Sequence, residues 1–520
     1  MADIYIDPSV VGPGAGTLSD PFASWASVSW AAGNSYLQKR NTTFSGRVTV
    51  GASGTSLNRI YIGAYGTGAK PKIVGGSSDT AGIRVSNRSY VTFEALDISC
   101  PTTSSSGNGL EGFFATASEG ISIRVIDCDI HDCKNIGLVL FTNVVGVGAK
   151  VRDGYAQSCT FIGNGYHGSA VYGAVDGFEF IDCQWDRNGL TVDGHGGSSF
   201  AHRNTYNNTG WTNTTGTIYT RTVSAPAGTS GTPSDVYQVV YNKTPYWNLN
   251  KNTATPTEPG LGEFGFVAGS PGSIYVNVGE APAAGREIKA AVEQAVNIRY
   301  TGGVAQRTNR VTQEGSGVQA DDFSLIIVAG LESKNNEGSG IFLNLGRGSI
   351  IQSAVLTANQ DSGLHAAAAP FMDVEHVTAF ANTVAEVKIN FGSDGASVTN
   401  SIMANGAVGI VVDADSSNCT LRSNCVHGNG TNYSGISAGV GDVSVPPQLR
   451  SNYMPQNEAV LAAGLALGGT DFYGVPFGNP PTIGAVQFGG SNTLQYHLGE
   501  TGMAIERPRP RGPREYAQSR

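Results

Sequence analysis

Apolar and polar residues alternate along most of this chain in runs too short for helices, and in the C-terminal half the alternation repeats. Asn336, Asn359, Asn382 and Asn405 recur at intervals of 23 residues, and Asn429 follows after 24. Each follows an alternating run and precedes a glycine-containing turn; Ser349-Ile350-Ile351-Gln352-Ser353-Ala354-Val355-Leu356-Thr357-Ala358-Asn359 is typical. Asn164 and Asn188 stand 24 apart in the same context in the first half. Self-similarity at this period predicts a solenoid of stacked rungs. The pairs five and three residues before the asparagine test the register. Cys159/Phe161, Cys183/Trp185, Ala354/Leu356 and Val377/Ala379 share a parity, so they share a strand face, and Cys128/Ile130 fits one rung earlier. That face builds an apolar core, and each rung lays its strand parallel to the one below at about 4.8 Å. The asparagines read as structural: their amides stack and bond backbone groups that the turn leaves free.

The rhythm breaks twice. From about 212 to 300 the period is lost, and Pro233, Pro245, Pro259, Pro271 and Pro282 accompany short strands such as Val236-Tyr237-Gln238-Val239-Val240-Tyr241. This stretch predicts a small β module inserted into one rung, with rungs resuming near Ser324. The second break follows about 486. The tail Arg507-Pro508-Arg509-Pro510-Arg511-Gly512-Pro513-Arg514 predicts an extended arm, flexible or bound to a partner. The chain thus divides into an N-terminal strand and capping segment (1–50), a first β-helix part (51–211), the inserted module (212–300), a second β-helix part with a closing element (301–486) and the arm (487–520).

Composition narrows the function classes. A chain of 520 residues is too long for one compact core, and 71 glycines among 40% hydrophobic residues suit short strands and tight turns. Net charge is −9, and no basic face is evident before the extreme C-terminus, so nucleic acid is not the expected partner. No apolar run reaches the roughly 18 residues that cross a bilayer, so no membrane span is expected. The start, Met1-Ala2-Asp3-Ile4-Tyr5-Ile6-Asp7, reads as strand and lacks the regions of a secretory signal, which makes release by cell lysis as part of a phage particle the simplest expectation. The seven cysteines are odd in number, widely spaced and without a C-x-x-C pair. They predict reduced core thiols rather than disulfides or zinc.

Several segments carry a family resemblance. Ile4-Tyr5-Ile6-Asp7-Pro8, Gly16-Thr17 and Asp20-Pro21-Phe22 look like the opening segment of the pectate-lyase-like superfamily of right-handed parallel β-helix proteins. That likeness implies an amphipathic capping helix with Trp25, Val28, Trp30 and Ala31 on its apolar side. Ile60-Tyr61-Ile62-Gly63-Ala64-Tyr65-Gly66 resembles the family's first full rung, and Asp471 to Gly474 with Pro481-Thr482-Ile483-Gly484-Ala485 resembles its closing element. The superfamily includes lyases, hydrolases, epimerases and phage tailspikes, so the resemblance implies the fold more sharply than the activity. The fold class expected is all-β: a right-handed parallel β-helix with an N-terminal cap and one inserted module.

Glycan cleavage on such a solenoid needs carboxylates, or a base with an acid, on one outer face of adjacent rungs. The richest stretch precedes the insertion: Asp127, Asp129, His131 and Asp132, then Tyr166, His167 and Tyr172, then Asp182, Asp186, Asp193, His195, His202 and Arg203. Asp193 and His195, two apart, share a strand face and can serve as acid and base. With Gly194 between them they weakly resemble the Asp-Pro-His motif of alginate-epimerase-like β-helices. The expected catalytic residues are Asp193, His195 and His167, with Tyr166, Tyr172, His202 and Arg203 binding substrate; the alternative for Asp193 and His195 is a polar turn leading into the insertion. Asp127 and Asp129 read as solvent-facing partners of inward Cys128 and Ile130, and Asp321-Asp322, Asp413 and Asp415 as turn acids. No contiguous calcium loop appears, so neither metal nor cofactor is expected. The functional expectation is a virion-associated, tailspike-like homotrimer that binds, and depolymerises in one version, a bacterial surface polysaccharide, with the C-terminal arm anchoring it to other virion proteins. The alternatives are an extracellular polysaccharide lyase, epimerase or glycosidase, and a purely structural virion protein.

Overall fold

Three short strands joined by tight turns make each rung, and equivalent strands stack into three parallel sheets. The computed structural model describes residues 2–487 apart from 104–105, 115–119, 143, 146–150, 191–195, 201–202, 207–209, 226–229, 232, 234, 237, 242–246, 262, 270, 283–287, 292–294, 297, 310–314 and 322–323. Among these residues the three sheets hold 15, 12 and 12 strands. One rung is Ile350–Gln352 in the first sheet, Val355–Thr357 in the second and Ser362–Ala367 in the third. The next is Asp373–Glu375, Thr378–Phe380 and Ala385–Asn390, in parallel register on the one before. The fold is therefore an all-β parallel solenoid.

Period-2 alternation sends every second side chain into the tube. Ile351, Leu356 and Leu364 of one rung join a core that runs from Ile6 to Val426. Cys128, Cys159 and Cys183 occupy equivalent inward positions in successive rungs and are buried, and burial pushes the thiols of Cys128 and Cys159 well above their ordinary range. Most turns between the first and second sheets pass through one left-handed residue, for example Ser353 at φ 50° and Asn400 at φ 52°.

At the N-terminus the chain makes a single 3-10 turn, Trp25–Ser27, where an amphipathic helix was expected. The reason lies in the tryptophans. Residues five apart on a helix point about 140° away from each other, but Trp25 and Trp30 stack at 6.0 Å, and Trp30 packs on Tyr36 at 4.4 Å.

Between Phe200 and Ala295 the chain leaves the rungs, and Ala295–Val296 rejoins the first sheet beside Val175 and Asp176. Strands from Arg203–Tyr206 to Ile288–Ala291 form a separate eight-stranded sheet, mostly antiparallel, over a core of its own built on Val239, Tyr241, Leu249 and Phe264. Outside that sheet, the short strand Ser230–Gly231 forms a two-stranded pair with Val144–Val145, just beyond the third-sheet strand Leu138–Thr142.

The segments that resemble a closing element, Asp471 to Gly474 and Pro481 to Ala485, lie against the second sheet. Val440 and Val443 bridge onto the last rung, and the chain then runs back along the outside of the second sheet. Leu465 N donates to Asn400 Oδ1 at 2.7 Å, Ala485 N to Thr378 Oγ1 at 2.9 Å, Ser353 Oγ to the Thr470 carbonyl at 2.6 Å and Tyr453 Oη to Glu332 Oε1 at 2.7 Å. The outward row of the second sheet explains this path. Its early members are Lys72, Asp97 and Asp129, which face water; its late members Val355, Ile402 and Cys425 are apolar and are buried under Val460, Phe472, Ile483 and Ala485.

Candidate functional site: an aromatic cleft on the third sheet

Early third-sheet strands are each set by a glycine. A Cβ at Gly137 would meet Asn164 Nδ2 at 2.9 Å, and one at Gly168 would meet Asn188 Nδ2 at 2.7 Å, so the turn asparagines leave no room for a side chain. Two and four residues beyond each glycine, side chains point outward. Gly109, Gly137 and Gly168 are thus followed by Glu111, Val139 and Ala170 in one row and by Phe113, Phe141 and Tyr172 in the next. Stacking makes the second row an aromatic ladder: Phe113 and Phe141 lie parallel at 5.6 Å, and Phe141 meets Tyr172 edge-on at 6.1 Å.

The preceding rung places Arg84 opposite Glu111. Arg84 Nε lies 3.2 Å from Glu111 Oε1, and its guanidinium sits 5.6 Å above the Phe113 ring. Asn108 Nδ2 donates to Glu111 Oε2 at 2.9 Å. Arg84, Asn108, Glu111, Asn135 and the three rings line a cleft of about 370 Å³. Burial, with Tyr166 and Asp321 nearby, pushes the Tyr172 phenol well above its ordinary range, so it stays neutral. The cleft offers flat apolar rings beside amide and carboxylate groups, which is the chemistry that holds sugar rings. No second carboxylate lines it among the described residues.

The expected site residues fare unequally. Tyr166 and Tyr172 both pack on the apolar patch of Ile136, Val139 and Ala170, and Tyr172, Ile136 and Val139 line the cleft. His167 does not lie on the outer face where it was expected: it is fully buried, with its ring stacked on Tyr166 at 3.5 Å. Bonds to the preceding rung, from Gly165 N to the Cys133 carbonyl and from Tyr166 N to the Asn135 carbonyl, hold the backbone ahead of it close against that rung. Arg203 belongs by its backbone to the inserted sheet, paired with Ala291, and not to a rung. Asp193, His195 and His202 lie outside the described residues. Asp127, Asp129, His131 and Asp132 lie on or beside the second sheet, away from the cleft, in a network of ion pairs. Lys70 Nζ is 3.0 Å from both Asp127 and Asp129. His131 sits between Asp97 at 2.9 Å and Asp132 at 2.8 Å, and these bonds, that to Asp97 foremost, push it up to about 9. Asp186 is buried against Arg307. No cluster of three or more metal-ligating side chains occurs among the described residues.

Sequence reading missed Arg84, Glu111, Phe113 and Phe141. The signal was present: an aromatic stands four residues after the glycine in three successive rungs.

Residues 316–458 match the family model of the right handed beta helix region. The solenoid is right-handed. No curated protein matches the chain. Among solved structures, pectate lyase Pel9A is similar over 94% of this chain and 96% of its own, at 13% identity and a TM-score of 0.47. The A-module of the Azotobacter vinelandii mannuronan C-5 epimerase AlgE4 is similar over 80% of this chain and 91% of its own, at 11% identity and a TM-score of 0.42. ORF18 of Geobacillus virus E2 is similar over 83% of this chain and 62% of its own, at 10% identity and a TM-score of 0.36.

Proposed function

We propose that this β-helix binds an extended polysaccharide along the outer face of its third sheet. The observation that carries the reading is the ladder of Phe113, Phe141 and Tyr172 in an open cleft with Arg84, Asn108 and Glu111 beside it. Rings repeated at rung spacing present successive sugars with successive apolar platforms. Phe141→Ala removes the central ring and is expected to weaken binding to the recognised polysaccharide about tenfold, on the order of 1.4 kcal/mol. Titration calorimetry against a panel of bacterial surface polysaccharides measures this, with circular dichroism showing that the fold persists. Unchanged affinity in Phe141→Ala would remove the cleft from the binding site.

Depolymerisation is the second reading. Asp193 and His195 immediately precede the strand Gly197–Phe200, which pairs in parallel with the ring-bearing strand Ser169–Tyr172. If they cleave the bound chain, Asp193→Ala or His195→Ala abolishes release of reducing or unsaturated ends while thermal stability stays within about 0.5 kcal/mol of the parent. The finer proposal, supported by the sequence resemblance, is a tailspike-like protein on a virion surface. Labelled antibody against the chain should then decorate purified particles; its presence only in the medium, apart from particles, would favour an extracellular enzyme.

A further inference from the structure

The charges of the third-sheet face bear on which polymer it accepts. The two outward rows continue beyond the inserted sheet. The first passes through Gln319, Phe342, His365 and Lys388, and the second through Asp321, Asn344 and Asn390. Two of the described cations on this face, Arg84 and His365, are paired with carboxylates. Arg84 is held by Glu111 at 3.2 Å. His365 Nδ1 lies 3.7 Å from Asp361 Oδ2, and His365 first, then Lys388, holds the Asp361 carboxyl below its ordinary range. Asp321 adds a further negative charge, bonded by the amides of Asn344 at 2.6 Å and Gln319 at 3.2 Å. Amides predominate among the remaining polar groups: Asn108, Asn135, Gln319, Asn344 and Asn390. His365 Nε2 lies 3.2 Å from Asn390 Oδ1.

We infer that the polymer bound on this face is uncharged, built of neutral or N-acetylated sugars and not of uronate or sulfated ones. The inference rests on the binding reading above and narrows it. A polymer with an anion on each sugar needs a row of cations free to meet it, and laying its charges beside Glu111 in the cleft, and beside Asp321 and Asp361 farther along the face, sets like charges together. The chain's net charge of −9 adds long-range repulsion. Hydroxyl and acetamido groups, in contrast, find both donors and acceptors in the amides, and their rings find the aromatic ladder.

The test uses the full chain against a panel of bacterial surface polysaccharides of defined composition, half neutral and half carrying uronate or sulfate, at about 20 and 500 mM salt. The expected result is binding to neutral polymers only, changing less than about twofold with salt, because no counterions are released. Glu111→Gln leaves Arg84 without its carboxylate and is expected to raise affinity for an anionic polymer at low salt by about threefold or more. Preferential binding of an anionic polymer by the parent, weakened about tenfold or more by salt, would overturn the inference and leave the binding reading intact. Binding to no polymer of either class would overturn the binding reading itself.

Discussion

Glu386 shows how one residue can stand in for another in a repeating structure. In the asparagine ladder each Asn donates its backbone N–H and its Nδ2 to the Oδ1 of the next. Asn336 reaches Asn359 at 3.1 and 2.9 Å, and Asn359 reaches Asn382 at 3.0 and 2.9 Å. The next slot holds Gly406, because Asn405 sits one residue earlier, in the left-handed turn position at φ 65° that Ala358 and Ala381 fill in other rungs. Asn405 is therefore not a ladder residue, although its 23-residue spacing places it there. Glu386 fills the empty slot, accepting from Asn382 N at 3.2 Å and Asn382 Nδ2 at 2.5 Å. Its own position is glycine in neighbouring rungs, at Gly340, Gly363 and Gly409. Burial pushes its carboxyl up to about 8. The folded state thus prefers the neutral acid. The stability this gives is complete below the unfolded value near 4.5 and is lost as pH rises through about 8. Glu386→Gln should remove that alkaline loss, on the order of 4 kcal/mol, as read from urea midpoints between pH 5 and 9. The two positions should also be coupled. Gly406→Asn alone drives a side chain into Glu386, whereas Glu386→Gly with Gly406→Asn rebuilds the ordinary ladder. A double-mutant cycle is expected to show about 2 kcal/mol of coupling; additive losses would refute the exchange of roles.

At the scale of elements, the segment along the second sheet is expected to respond to acid through His376. His376 sits in a left-handed turn at φ 52°, buried beneath this segment, with its ring stacked on Phe477 at 3.7 Å and Nε2 3.1 Å from Asn400 Nδ2. Burial lowers it to about 4. A base whose folded pKa lies below its unfolded value stabilises the fold above about 6.5, and that contribution is lost as pH falls toward 4, to a limit of roughly 3 kcal/mol. Hydrogen exchange between pH 7 and 4.5 should therefore show residues 453–487 opening before the rungs do. His376→Gln should flatten this dependence, and an acid transition unchanged by the substitution would place the sensitivity elsewhere. The sequence already announced the cover: the outward row of the second sheet changes from Lys72, Asp97 and Asp129 to Val355, Ile402 and Cys425, and apolar outward positions need something over them. Which segment supplies the cover was not announced, because the 453–487 stretch has no strand period of its own.

For the whole molecule, long exposed sides permit lateral assembly, and the tailspike resemblance in sequence extends to a proposed homotrimer. Light scattering of the full chain should return three chain masses, unchanged on tenfold dilution; a single chain mass across that range would refute the trimer. Assembly also bears on the cleft. A trimer that binds long polymers must leave the third sheet facing solvent, so the Phe141→Ala and Glu111→Gln variants are expected to keep the parent's oligomeric state while changing glycan affinity.

The sequence by itself determined the rung period, the parity that carries Cys128, Cys159 and Cys183 inward, and the ladder from Asn336 through Asn359 to Asn382, because each depends on alternation and turn chemistry within about one rung. Only tertiary structure decided which outward residues meet. Arg84, Glu111, Phe113, Phe141 and Tyr172 converge from three successive intervals of 27 to 31 residues, and their meeting depends on how many residues each turn spends before the chain returns to the third sheet. One residue more or less in a turn moves a side chain to another slot, as Asn405 shows. Spacing in sequence alone therefore could not separate the ion-paired Asp127–Asp132 face from the cleft, or place His167 inside the fold instead of on its surface.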